Sequence, residues 1–290
     1  MRPALESVTL NIDGIEIAGI RQRDSNVTDQ PRMLCVHGWL DNANSFVPLM
    51  PYLPAFDLVA IDLPGTGYSA PLPGGYQFHE LSYLLYQIIE ALEWSDCHLT
   101  GHSLGGGLVP LLAVAHPPVV KTLTLIEAAG SLSEPASKLP GRMVKAFQDR
   151  QNATRFESRR FNDKQSAIDT RLNAAKMHPA SARLIIDRQL VQSQGQYQWR
   201  FDKRWRYASP QYQTEEQVQE VLKAVQCPTL AVLADDGYLL GRDHTDARLA
   251  CIEHLESITL PGNHHLHMDT PEPVAAAINR FLQTTPALGG

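Results

Sequence analysis

Thr100-Gly101-His102-Ser103-Leu104-Gly105-Gly106-Gly107 leaves the backbone very little choice. A short strand-like run, Cys97–Thr100, leads into this segment. An apolar helix-length run, Leu104–Ala115, leads out of it and stops at His116-Pro117-Pro118. Gly101 and Gly105 flank Ser103 at two positions on either side. A tight strand-to-helix turn brings two backbones together there, so side chains at those positions would collide. The serine at the tip must hold strained angles. It also opens a helix, where free N–H groups and the dipole favour developing negative charge. Ser103 is therefore the candidate nucleophile; the bland alternative is a glycine-rich helix start used for close packing.

The rest of the chain repeats the same strand-then-helix rhythm. Residues 7–12 and 15–20 read as a hairpin joined by Asp13-Gly14. Met33–Val36, Leu58–Ile61, Val120–Ile126, 228–234 and 257–260 read as short strands. Phe78–Trp94, 243–254 and 273–283 have helical apolar spacing. Val120–Ile126 carries a charge only at Lys121, as a strand covered on both faces should. Alternation of this kind predicts a mostly parallel sheet with helices on both sides. Residues 131–213 break the rhythm and read as an all-helical insertion, ending in the aromatic and basic stretch Tyr197–Tyr207.

Charge separates the same two regions. Residues 131–213 hold 16 Lys and Arg against 7 Asp and Glu, and the remaining residues hold 9 against 24. The basic insertion either docks electrostatically on the acidic body, the reading preferred here, or attracts anionic substrates. The net charge of −6 argues against a general nucleic-acid binder. No apolar run approaches the roughly 20 residues that span a bilayer, and Met1–Leu10 has no signal-peptide core, so no membrane partner and a cytoplasmic location are expected. Four cysteines are too few for a disulfide scaffold; Cys35, Cys97 and Cys227 lie in or beside apolar runs and read as buried, reduced thiols.

Together with the serine segment, His37-Gly38-Trp39-Leu40-Asp41-Asn42, Asp62-Leu63-Pro64-Gly65-Thr66-Gly67-Tyr68-Ser69 and Gly262-Asn263-His264-His265-Leu266-His267-Met268-Asp269 occur in the order seen in the α/β-hydrolase superfamily. The chain resembles that superfamily over nearly its whole length, and within it the serine hydrolase-like proteins. The resemblance implies an eight-stranded, mostly parallel sheet flanked by helices. A helical cap at 131–213 is inserted after strand six into a core of residues 1–130 and 214–290. It also implies a Ser–acid–His triad without cofactor or metal. His264 occupies the base position, with His265 and His267 as competitors; His102 reads as part of the turn, and His37 as a support of the loop after strand three. The usual acid position falls on Gly237, nine residues after Pro228, a departure from the family pattern. Glu127 at the end of strand six is the expected acid, with Asp235 or Asp236 as the alternative. A carboxylate at the end of a buried strand is costly unless it is used or paired. By motif position the backbone amides of Trp39 and Leu104 form the oxyanion hole. Trp39, Trp199 and Trp205 are candidate substrate-binding residues, although aromatic residues in a cap serve packing equally well.

Gly65-Thr66-Gly67-Tyr68-Ser69-Ala70 mimics a dinucleotide fingerprint, but Pro71-Leu72-Pro73-Gly74-Gly75 follows, where no helix can open on a phosphate. A serine nucleophile argues against the dehalogenase and epoxide-hydrolase chemistry that relatives run from an aspartate. Asp269 precedes Thr270-Pro271 and is expected to cap the last helix. The leading expectation is an esterase acting on small or medium carboxylic esters. A C–C hydrolase or thioesterase on the same triad, or a ligand receptor without turnover, are the alternatives.

Overall fold

The computed structural model describes residues 4–285. Asp13 and Gly14 both have positive φ, 50° and 84°, as a two-residue hairpin turn requires, and Asn11 Oδ1 accepts the Gly14 N–H at 2.9 Å. They fold β1 (Leu5–Ile12) onto β2 (Ile15–Gln22), with Ile12 opposite Ile15. β2 runs antiparallel to β4 (Asp57–Ile61). Within this sheet every later pairing is parallel, through β3 (Arg32–Val36), β5 (Cys97–His102), β6 (Val120–Ile126), β7 (Thr229–Asp236) and β8 (Leu255–Asn263). The order across the sheet is β1-β2-β4-β3-β5-β6-β7-β8. The chain moves outward from β3 to β4 and then crosses back to β5. The crevice beyond the carboxyl ends of β3 and β5 is therefore the topological switch point, where open α/β sheets bind ligands.

Alternation along β3 explains why both faces must be covered. Leu34 and Val36 join one apolar cluster with α1 (Phe78–Ala91) and α2 (Leu104–Ala115). Met33 and Cys35 join a second cluster on the other face, with Phe46, Ile278 and Phe281. Cys35, Cys97 and Cys227 are buried free thiols, and Cys251 is partly exposed. No helix among the described residues is long and apolar enough to cross a membrane.

The insertion leaves the sheet after β6 and returns where Ser133 bridges Gln213 and the Glu134 N–H donates to Gln213 O at 3.0 Å. It holds α3 (Leu139–Gln151), α4 (Lys164–Ala174) and α5 (Pro179–Gln189). It is not all-helical, contrary to the sequence expectation. Arg160–Phe161, Gln196–Trp199 and Leu190–Ser193 form a three-stranded antiparallel sheet. The cause is local: Gln194 and Gly195 both take positive φ, 52° and 77°, and make a two-residue turn. Thr214 then caps α6 (Glu215–Lys223) in a capping box with Gln217, and the fold closes with α7 (Asp243–Leu249), the single-turn α8 (Leu266–Asp269) and α9 (Pro271–Thr284).

Basic side chains of the insertion meet carboxylates of the body. Arg171 pairs with Asp41, Arg188 with Asp62 and Lys176 with Asp236. Arg188 and Asp62 are both buried, with Arg188 Nε 2.9 Å from each carboxylate oxygen. Docking thus accounts for part of the charge asymmetry. Asp269 also serves the insertion and does not cap α9. It accepts the His178 N–H at 2.9 Å and the Ser181 hydroxyl at 2.5 Å at the start of α5. Thr270 opens α9 without a side-chain cap, followed by Pro271, which has no N–H to satisfy.

Candidate active site

Ser103 stands between β5 and α2 with φ 51° and ψ −113°, a conformation L-residues rarely adopt. The flanking glycines make this turn possible. A Cβ on Gly101 would come within 2.5 Å of the Gly105 carbonyl carbon, and one on Gly105 would strike the Val36 carbonyl. The Ser103 N–H donates to Ile126 O at 3.0 Å, which ties the turn to the end of β6. Leu104 is the first residue of α2, so its N–H has no partner within the helix. Leu40, Ser103 and Glu127 are three of the seven non-glycine residues with positive φ among the described residues, and all three lie at the carboxyl end of the sheet. Strain of this kind costs about 1–3 kcal/mol per residue and survives only where the surroundings impose it.

Glu127 ends β6 at φ 48° and is 2% exposed. Its Oε2 lies 3.1 Å from His264 Nδ1. Oε1 accepts the Ala234 N–H at 2.8 Å, and Oε2 accepts the Tyr238 N–H at 2.9 Å. Burial pushes this carboxyl up, but the His264 hydrogen bond and the two amides outweigh it and hold the group below its ordinary value. Gly237 lies directly beneath the carboxylate: a Cβ there would collide with both Glu127 oxygens. Asp235 and Asp236 are engaged elsewhere. Asp235 accepts the Gly262 N–H at 2.8 Å, and Asp236 pairs with Lys176 at the surface.

The histidines divide among separate partners. The His264 ring stacks on Tyr238 at 4.4 Å, and His102 Nε2 donates to the His264 carbonyl at 2.8 Å. His265 turns the other way, with Nε2 3.5 Å from Asp41 Oδ2. His267 lies 3.4 Å from the Ser45 hydroxyl, fully buried, and burial lowers its pKa to about 3. Burial likewise keeps His102 well below the ordinary imidazole range. His102 and His267 are thus neutral imidazoles.

His37 supports the turn after β3 as expected from the sequence. Its Nδ1 donates to Gly38 O at 2.7 Å, and its Nε2 accepts the Leu63 N–H at 3.0 Å. The Trp39 indole is half exposed and donates to Trp205 O at 2.9 Å. Trp205 itself is buried, stacked on Tyr76 at 4.2 Å, with its indole donating to Pro64 O at 2.9 Å. Trp199 meets Phe161 edge-on at 5.1 Å in the core of the insertion. Both Trp199 and Trp205 thus have faces engaged in packing within or beneath the insertion. Sequence reasoning missed Asp41, Arg171 and Tyr238. Asp41 lies inside a motif already singled out, whereas nothing in the sequence marks Arg171 among the 16 cations of the insertion.

Residues 31–271 match the family model described as the alpha/beta hydrolase fold. A serine hydrolase-like protein of Danio rerio is 28% identical over 271 residues, covering 87% of this chain and 81% of that protein. A hypothetical protein of Pseudomonas aeruginosa PAO1 superposes with a TM-score of 0.88 at 30% identity, covering 96% of this chain and 98% of the other. The thioesterase domain from the curacin biosynthetic pathway superposes with a TM-score of 0.82 at 24% identity, covering 95% and 99%. That last likeness is one of fold alone.

Proposed function

Since the chain belongs to the α/β-hydrolase family and is similar throughout to its serine hydrolase-like members, we propose that it cleaves small to medium carboxylic esters through an acyl-enzyme on Ser103. The observation that carries this reading is the 3.1 Å contact between Glu127 Oε2 and His264 Nδ1, on the strand beside the one that ends at Ser103.

Glu127 accepts the Nδ1 proton and so leaves Nε2 of His264 unprotonated, ready to take the Ser103 hydroxyl proton. Ser103 Oγ adds to the ester carbonyl. The oxyanion is met by the N–H groups of Leu104 and Trp39, each worth about 2.7–4 kcal/mol in the transition state. His264 then returns the proton to the leaving alkoxide. A water attacks the acyl-enzyme by the same steps in reverse roles, with His264 as its base. Glu127 stays ionised and stabilises the imidazolium. No cofactor enters any step.

Gly237 would speak for a receptor without turnover only if no other carboxylate served His264. Glu127 occupies the space that a side chain at 237 would need. A C–C hydrolase or thioesterase would use the same residues, and no contact in the site favours either over an esterase.

The test is turnover of p-nitrophenyl esters, acetate through octanoate, by wild type, Ser103→Ala and His264→Ala. Loss of at least about a thousandfold in kcat in both variants, with the fold intact, is expected. Wild-type turnover that survives Ser103→Ala would sink the reading.

A further inference from the structure

Asp41 is a buried carboxylate at which four segments meet. It lies two residues beyond Trp39, and its N–H donates to Gly38 O at 3.1 Å, closing the turn that carries the Trp39 amide. Its Oδ1 pairs with Arg171 of α4, in the insertion. Its Oδ2 lies 3.5 Å from His265 Nε2 and 3.7 Å from His102 Nδ1. Arg171 Nη2 is also 3.3 Å from His265 Nε2. The oxyanion turn, the serine turn, the histidine loop and the insertion thus converge on one charge.

The protonation pattern at His102 makes this convergence consequential. Its Nε2 carries the proton donated to the His264 carbonyl, so the neutral ring presents the bare Nδ1 lone pair to Asp41. Nδ1 is buried without a hydrogen-bond partner. A carboxylate facing a lone pair is repulsive unless a cation neutralises the carboxylate, and Arg171 is that cation. Without it, the uncompensated charge of Asp41 would favour a proton on His102 Nδ1 and work against the burial that keeps the ring neutral. The resulting imidazolium would lie with its ring centre 4.8 Å from that of His264, opposing the positive charge His264 must acquire. The other groups around Asp41 do not replace Arg171: His265 Nε2, 3.5 Å from Asp41 Oδ2, also lies 3.3 Å from Arg171 Nη2 and accepts from that guanidinium, so its arrangement depends on Arg171. His267 and His37 are held neutral by burial, and beyond His37 the charges of Asp62 and Arg188 cancel each other.

We propose that Arg171 is a positioning residue of the reaction: through Asp41 it fixes the Trp39 turn and keeps His102 uncharged beside His264, so that seating the insertion completes the catalytic end of the sheet. The proposal rests on the hydrolase reading above for its kinetics but not for its titration.

The test compares Arg171→Met and Arg171→Lys. In Arg171→Met, kcat should fall about tenfold or more below neutral pH and recover as pH rises through the new His102 titration, with KM within about threefold of wild type. Arg171→Lys keeps the charge and should keep the wild-type profile within about threefold. Nitrogen-15 NMR of the histidines, read without substrate, should reveal a titrating histidine in Arg171→Met that wild type lacks. If Arg171→Met does not fold, the double variant Asp41→Asn/Arg171→Met removes both charges; it should show a wild-type acid limb with a lower kcat. A pH profile of Arg171→Met that superposes on wild type, or a rise in KM alone, would overturn the proposal. So would a shifted acid limb in the double variant. Failure of Ser103→Ala to abolish turnover would strike the hydrolase reading instead and leave the NMR titration to decide the role of Arg171.

Discussion

Glu127→Gln removes a charge while keeping the shape of the side chain, and the three groups around it determine the outcome. Ala234 N–H, Tyr238 N–H and His264 Nδ1–H all donate to the carboxylate. An amide offers one acceptor oxygen and one NH2 donor. With the NH2 in place of Oε2, a donor faces Tyr238 N–H, and His264 must accept at Nδ1. Its proton then moves to Nε2, the atom that has to receive the serine proton. With the NH2 in place of Oε1, a donor faces Ala234 N–H; His264 keeps its tautomer but loses the negative charge that stabilises its imidazolium. Either arrangement orphans a donor in a pocket that is 2% exposed, which costs about 1–3 kcal/mol of stability. The rate loss reaches about ten-thousandfold if the wrong tautomer dominates and stays nearer a hundredfold if the other does. Ester kcat/KM at pH 8 measures the rate loss, and the urea midpoint at unchanged m-value measures the stability cost. Asp235→Asn and Asp236→Asn serve as controls and should stay within about threefold of wild type. Activity retained in Glu127→Gln but lost in either aspartate variant would refute the reasoning.

Gly237→Ala should lower both activity and stability, because its Cβ would strike the Glu127 carboxylate, and kcat/KM with a thermal melt reads both. The opposite result, a stabilised and fully active variant, would mean that the Tyr238 loop yields freely. Glu215 is held at about 2 by the Arg248 guanidinium, whose Nε and Nη2 bind its two oxygens at 2.8 and 2.6 Å. A depressed carboxylate stabilises the fold above its unfolded pKa, so this contribution is complete above about pH 4.5 and is lost as pH falls toward 2. Glu215→Gln should therefore be less stable than wild type at pH 6, with the gap narrowing at pH 3 in urea titrations.

What the sequence disclosed and what it withheld divide along a physical line. Ser103, its glycines and the Asp13-Gly14 turn were legible because backbone geometry alone demands those residue types. The mostly parallel sheet followed from the alternation of strand and helix. The hairpin in the insertion was missed although Gln194-Gly195 is a turn signal, since the basic and glutamine-rich surroundings hid the alternation of Tyr197 and Trp199. Trp199 and Trp205 could not be assigned from sequence because burial against a cap and burial against a substrate select the same residue. Arg171 was invisible because ion pairing is a matter of spatial neighbours, here 130 residues apart.

On the proposed reading, in which Glu127 is the acid, a departure from a motif carries information. A carboxylate can reach His264 Nδ1 from the end of β6 or from the loop after β7, but the two routes end in one small volume. With the carboxylate supplied from β6, position 237 has to give up its side chain. Glu127 fills the volume from β6 and takes the Ala234 and Tyr238 amides at the end of β7. Gly237 is the complement of that choice, since even a methyl group there would overlap the carboxylate. The missing acid and the strained glutamate are one feature, read at two places in the chain. Moving the acid would therefore need two coupled changes, Glu127→Gly with Gly237→Asp. Gly237→Asp alone would place two carboxylates in one buried site, where only one can stay ionised.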